Sequence, residues 1–371
     1  MPLSAPASDA FSASYAQARE KFLNAASAAG APVKSFVHPL RGVDGEELAL
    51  DVVVDGAKDA KRVLLVSSGC HGVEGYCGSG VQVHALRDSG LRERCAQSGV
   101  AVVYLHAINP FGFSHTRRVT HENVDLNRNF QDFSRPLPQN PAYRSLHPLL
   151  LPRHWPPGLV NTAGLFWYIA SNGMKAAQAA LSGGQYEVDD GLFFGGKAPT
   201  WSNLALRQVL RDFGMGAQRL AWIDLHSGLG ATGACERTFA MKNSDAAGQT
   251  RARAWWDGSG ATPLKSLDDG SSVSAALSGL MWPAIYEECP QAEVTMMAME
   301  FGTQAKMQVL KALRGDHWLY QHPEAGPELV ARIKKTLRDA FYVDTADWKE
   351  KIASQAMQAI NQSVTGLGQG L

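Results

Sequence analysis

The chain has 371 residues, with 35 Lys plus Arg balanced by 35 Asp plus Glu. A formal charge of zero offers no basic footprint for nucleic acid, and 45% hydrophobic with 19% charged residues is a globular composition, not a disordered one. A chain of this length buries most of its apolar surface without staples, so a metal ion in it would serve chemistry more than folding.

Residues 10–30 are Ala-rich, with Phe11, Tyr15, Phe22 and Ala26 spaced along one face and Gly30 as a stop, which predicts a helix. No basic start leads into an apolar core here, and no later run reaches the ~18 apolar residues of a membrane span. Neither a secretory signal nor a membrane partner is expected. Residues 47–55 alternate and are β-branched, the pattern of a strand. Continuous apolar runs at 62–68, 100–106 and 219–225 suit central strands covered on both faces. Helical patterns at 77–90 and 201–213 lie between them, so an α/β fold with a largely parallel sheet is expected.

Residues 134–160 carry Pro136, Pro138, Pro141, Pro148, Pro152, Pro156 and Pro157, which predicts a long irregular insertion or lid. An apolar run from Val294 ends in Glu300, and 327–361 reads as amphipathic helix through Leu329, Ile333, Leu337 and Phe341. The Gly-rich tail from Gly366 is expected to fray. Five cysteines, an odd number without a CxxC pair, argue against a disulfide framework and for a reducing, cytoplasmic setting.

Chemistry-bearing residues cluster where the strands end. His71 and Glu74 follow the run 62–68, three residues apart on one side of a turn, and His226 follows the run 219–225. Two His and one Glu, with a fourth position left to water, form a usual catalytic zinc set. His-x-x-Glu alone is weak, since a buried and satisfied His71 would look the same. Asp125-Leu126-Asn127-Arg128 is rarer, and its Arg is the side chain that forks onto a carboxylate; a surface Arg in a turn is the competing reading. Glu300, closing a buried strand, would have its pKa raised by desolvation and suit a general base, unless it pairs with Lys or Arg at the sheet edge.

Taken in order, these residues resemble the zinc carboxypeptidase superfamily, the M14-like metallopeptidases, which includes the aspartoacylase and succinylglutamate desuccinylase deacylases. The order is His71-x-x-Glu74, Asn109-Pro110 with Phe-Gly, an Arg, Asp125-x-Asn127-Arg128, His226, and Glu300 before Phe-Gly. The stretches Ser68–Gly75 and Asp224–Gly228 are similar to the DUF2817 branch. The resemblance spans about residues 45–310.

That resemblance implies a three-layer α/β domain with a mixed, mostly parallel, twisted sheet. Residues 45–310 would be the catalytic domain, 1–44 an N-terminal helical extension and 311–371 a C-terminal helical extension. It implies one zinc ion on His71, Glu74 and His226, with Glu300 as base and then acid. Arg118, or its neighbour Arg117, would polarise the carbonyl. Arg128 with Asn127 would hold a substrate carboxylate, and Asp125 would orient His71. The family's mobile tyrosine has no secure counterpart, Tyr286 being the nearest. The expected activity is hydrolysis of an amide next to a carboxylate. The substrate would be small and anionic, a peptide C-terminus or an N-acyl amino acid. A non-catalytic binding module of the same fold is the alternative from another class. Cys70 as nucleophile explains the other motifs less well, and no Gly-x-Ser-x-Gly elbow marks a serine hydrolase.

Overall fold

The computed structural model describes residues 6–242, 244–258, 263–267, 271–272 and 277–369. Seven strands form one sheet: β1 (Val33–Arg41), β2 (Glu47–Asp55), β3 (Arg62–Ser67), β4 (Val100–His106), β5 (Arg219–Gly228), β6 (Cys235–Phe239) and β7 (Glu293–Gly302). The helices are α1 (Tyr15–Ala28), α2 (Gly75–Arg87), α3 (Ser89–Ser98), α4 (Pro110–Ser114), α5 (Pro141–Leu150), α6 (Leu159–Asn172), α7 (Met174–Ser182), α8 (Trp201–Phe213), α9 (Ala246–Trp256), α10 (Ala284–Glu288), α11 (Lys306–Gln321), α12 (Pro327–Phe341) and α13 (Ala346–Gln369).

The strand order is β1-β2-β4-β3-β5-β7-β6. The centre, β4-β3-β5-β7, is parallel, and the outer pairings β1–β2, β2–β4 and β6–β7 are antiparallel. Alternate side chains of β3 enter different cores. Leu64 and Val66 pack with Phe22 of α1, Val81 of α2 and Ile352 of α13, whereas Val63 and Leu65 pack with Leu206 and Val209 of α8 and Ile285 of α10. The central strands are therefore mostly apolar, because both of their faces are covered, and polar residues enter β5 and β7 toward their C-terminal ends, at Asp224, His226 and Glu300. This is the three-layer α/β arrangement expected. No described helix is long and apolar enough to cross a membrane.

The structure departs from the sequence-based expectations in four places. Residues 33–41, inside the expected helical extension 1–44, are the edge strand β1; mostly exposed on both faces, they carry no apolar alternation. The segment 134–160 is irregular at 134–140 and 151–158, but α5 lies between them and α6 begins at Leu159. Pro141 sits at the first position of α5, where its missing N–H costs nothing, and Asn140 caps that helix by accepting from Tyr143 N at 3.2 Å. The insertion continues through α6 and α7 to Ser182. The helix expected over 327–361 is two, broken at 342–345. Gly366 and Leu367 are buried within α13, not frayed.

Candidate active site

The parallel centre aims four strand ends at one place. The turn after β3 is held against the segment after β4 by Ile108 N to Ser68 O (3.0 Å), Gly72 N to Arg118 O (3.0 Å) and Val73 N to Arg117 O (2.8 Å). Two glycines permit this approach. Gly69 has φ +65°, and a Cβ on Gly72 would lie 2.0 Å from the Gly112 carbonyl carbon. Asn109, from the Asn-Pro motif, caps α4 by accepting from Gly112 N at 2.9 Å.

His71, Glu74 and His226 are all buried, and their ligand atoms lie within 4.8 Å of one another. Glu74 faces both rings: Oε1 is 2.8 Å from His71 Nδ1 and Oε2 is 2.9 Å from His226 Nδ1. Each ring turns its other nitrogen to a carboxylate. His71 Nε2 is 3.2 Å from Asp125 Oδ1, and His226 Nε2 is 2.5 Å from Asp224 Oδ2. Asp224 is held in turn by Ser67 Oγ (2.6 Å) and Trp282 Nε1 (2.9 Å). Two imidazoles presenting Nδ1, each backed by a carboxylate, with a third carboxylate between them, fit the chemistry of a zinc site. Asp224 and Trp282 escaped the sequence reading. Asp224-x-His226 places both residues on one face of a strand, a usable signal that an apolar run conceals.

The charges explain the ionisation states. Burial disfavours the Glu74 carboxylate, but His71 and His226 bring its pKa below the ordinary range. Burial likewise opposes charge on His226, and Asp224 and Glu74 outweigh it, raising the imidazolium pKa well above 6.5. Asp125 is pulled far down against burial by Arg118, Arg128 and His71. Glu300 goes the other way. Half-buried on β7 and beside Glu74, it is pushed up to about 7 by desolvation and then by that neighbouring charge. Its Oε1 accepts from Leu229 N at 2.8 Å.

Arg118 lies on the cluster. It donates from Nε to Asp125 Oδ2 (3.0 Å) and from Nη1 to Glu74 Oε1 (3.1 Å), and its Nη2 is 2.7 Å from His71 Nε2. Arg117 points elsewhere. Its Nε donates to Asp316 Oδ2 (3.0 Å) and its Nη2 to Asn123 Oδ1 (2.9 Å), under the Tyr320 ring. Of the two neighbouring arginines, Arg118 alone reaches the cleft.

Asn127 and Arg128 also line the cleft. Asn127 Oδ1 accepts from Met281 N (2.9 Å), leaving its Nδ2 to donate. Arg128 donates to Ser182 O from Nε (3.2 Å) and Nη2 (2.6 Å) and to Asn127 O from Nη1 (2.9 Å). Three of its five N–H groups are thus committed, and two are left for a ligand. Tyr286 does not belong to this site. It donates to Asp245 Oδ2 at 3.0 Å and packs against the second core, and no tyrosine lines the cleft among the described residues. Cys70 is fully buried, with its thiol pKa raised by desolvation, and is no nucleophile.

No curated protein matches the chain in sequence. In fold it is similar to carboxypeptidase A from Helicoverpa armigera, at 13% identity and TM-score 0.51 over 96% of this chain and 74% of that one. It is also similar to bovine thrombin-activatable fibrinolysis inhibitor, solved with a tick carboxypeptidase inhibitor, at 12% identity and TM-score 0.52 over 97% and 98% of the two chains. At such identities the likeness is one of architecture. A family model described as a protein of unknown function, DUF2817, matches residues 11–355. The chain belongs to the DUF2817 family.

Proposed function

We propose that the protein is a zinc-dependent hydrolase that cleaves an amide bond next to a substrate carboxylate. The observation that carries this reading is the orientation of His71 and His226: both turn Nδ1 toward Glu74 and Nε2 toward a carboxylate. A structural core has no need of such an arrangement, and a metal centre does. Zinc bound by His71, Glu74 and His226 would supply Lewis-acid activation of a water and of the substrate carbonyl.

The chain's own groups do the rest. Glu300, as carboxylate, takes a proton from the attacking water while the new C–O bond forms. Arg118 donates to the carbonyl oxygen as it becomes an oxyanion, a contribution of about 3–4 kcal/mol for one well-placed donor. Glu300 then passes its proton to the amine nitrogen as the C–N bond breaks. Asn127 and Arg128 hold the substrate carboxylate and fix the scissile bond over the cluster. The α5–α7 insertion walls the cleft through Leu150, Leu165 and Leu181, which favours a small substrate over a folded protein. A base with a pKa near 7 would be superfluous in a module that only binds.

The test is hydrolysis by the zinc-loaded protein, with hippuryl dipeptides assayed beside N-acetylated amino acids. Turnover of either class that disappears on chelation and returns with zinc supports the reading. Zinc bound with no turnover of any carboxylate-bearing amide would leave only the binding module.

A further inference from the structure

The proposed chemistry uses the cluster, Glu300, Arg118 and the carboxylate clamp, yet these residues line only part of a cleft of about 240 Å³ in all. Its walls come from the insertion. Leu146 and Leu150 of α5, Leu165 and Ile169 of α6, and Ala177 and Leu181 of α7 line it as i, i+4 pairs, joined by Val309, Leu310 and Leu313 of α11, with Lys306 also in the lining. Residues four apart stand about 6 Å apart along a helix, so each wall is at least one turn deep. Apart from Gln178 and Ser182, every lining residue from the three insertion helices α5–α7 is apolar. The chamber is tied to the carboxylate clamp, because Arg128 donates to Ser182 O at the end of α7.

This lining discriminates among guests. A peptide threaded through it would meet only Gln178 and Ser182 as polar side chains on these walls and would leave most of its backbone N–H and C=O groups desolvated and unpaired, at a cost of ~1–3 kcal/mol each. An acetyl group would leave the chamber empty. A flexible aliphatic chain gains from every methylene buried and asks for no hydrogen bond. We propose that the substrate is a carboxylate-bearing amide that carries a long unbranched aliphatic chain, held in the α5–α7 chamber. This specificity rests on the hydrolase reading, but binding of the chain can be measured without it.

Two substrate series place the chain on either side of the scissile bond: N-acylglycines from acetyl to dodecanoyl, and N-acetyl-2-amino acids with side chains from methyl to decyl. In one series kcat/KM of the zinc-loaded protein should rise about fourfold per methylene, the equivalent of ~0.8 kcal/mol, until the chamber is full. Flat profiles in both series, with the short members turned over, overturn the chain and leave the hydrolase. Binding is measured separately by calorimetry with dodecanoate and hexanoate. Dodecanoate should bind at least tenfold more tightly, and Ala177→Phe, which drives a ring into the chamber, should remove that preference. Ile169→Trp serves the same purpose if Ala177→Phe fails to fold, as judged by circular dichroism. Dodecanoate binding without turnover of any amide sustains the chamber and removes the hydrolase. No preference for dodecanoate, or a preference untouched in a folded filled variant, overturns the proposal.

Discussion

His226 and Glu300 are direct partners in the parallel register of β5 and β7. Neighbouring strands run about 4.8 Å apart, so this pairing sets a carboxylate beside a metal-ligand candidate without help from any loop. The side chain of Glu74 completes the group, and its negative charge, together with burial, raises the Glu300 pKa. Two rigid strands thus position the base, which is where precision is easiest to hold.

Glu300→Gln should keep the metal and lose about 10²–10⁴-fold in turnover, since general-base catalysis contributes on that order. The pH profile follows from the sign of the shift. The base works as carboxylate, and the Glu300 pKa is raised to about 7, so kcat/KM should climb as pH rises toward 7. A cation on Glu74 neutralises one of the two causes and should move the acid limb below 7. Metal content by elemental analysis, with the pH dependence of kcat/KM, checks both statements. An active Glu300→Gln protein removes Glu300 as the base.

Metal loading should release protons. His226 lies between Asp224 and Glu74, whose charges raise its pKa and favour the imidazolium. A cation on Nδ1 must displace that proton, so zinc affinity should fall as pH falls. Calorimetric titration with zinc in two buffers of different ionisation enthalpy should count about one proton released. His71→Ala should lose the ion. Asp224→Asn and Asp125→Asn should weaken zinc binding by about 10–100-fold while leaving the ligands in place.

The central sheet was legible because burial on both faces leaves a continuous apolar run, as in β3, β4 and β5. The motif residues were legible because they cluster after those runs. Three features were not, each for a physical reason. β1 is an exposed edge strand whose pairing is made by backbone groups that no side-chain pattern reports. The α5–α7 insertion hides behind prolines, although Pro141 starts a helix and Pro148 sits inside one. Asp224 looks like an interruption in an apolar strand until its bond to His226 is seen. Tyr286 illustrates the opposite error, since nearness in sequence to Glu300 put it in a site from which α10 turns it away.

Arg117 and Arg118 are adjacent and should behave oppositely. Arg118 touches Glu74, Asp125 and His71, so Arg118→Lys should lower kcat by about 10²–10³-fold with a smaller effect on KM. Arg128→Ala removes a group that holds the substrate and should chiefly raise KM. Arg117→Lys should be felt mainly as lost stability, because the fork onto Asp316 and Asn123 is buried. Steady-state kinetics and urea titrations on the three variants separate these cases. A kinetic loss in Arg117→Lys as large as that in Arg118→Lys would sink the assignment of Arg118 as the carbonyl donor.

Asp316 anchors that arrangement from α11. It accepts from Arg117 Nε at 3.0 Å and Lys334 Nζ at 2.6 Å. Burial alone would raise its pKa, but Lys334 and Arg117 overcome burial and bring it far below the usual carboxylate range. A depressed carboxyl pKa contributes stability above the unfolded-state value, about 3.9, and that stability is lost as pH falls toward the folded value. Asp316→Asn would leave Arg117 and Lys334 without their counter-charge, at a cost of about 3–5 kcal/mol near pH 7. The deficit relative to the unsubstituted protein should shrink progressively below about pH 4, where the Asp316 carboxyl of the unfolded chain takes up a proton that the folded carboxylate still refuses. Urea unfolding at pH 7, 4 and 3 measures this. The loop matters as much as the charge. Arg117 O accepts from Val73 N and Arg118 O from Gly72 N, so a loosened Arg117 also loosens the turn that carries Glu74. The same variant should therefore lose zinc affinity at pH 7, although Asp316 touches none of the proposed ligands.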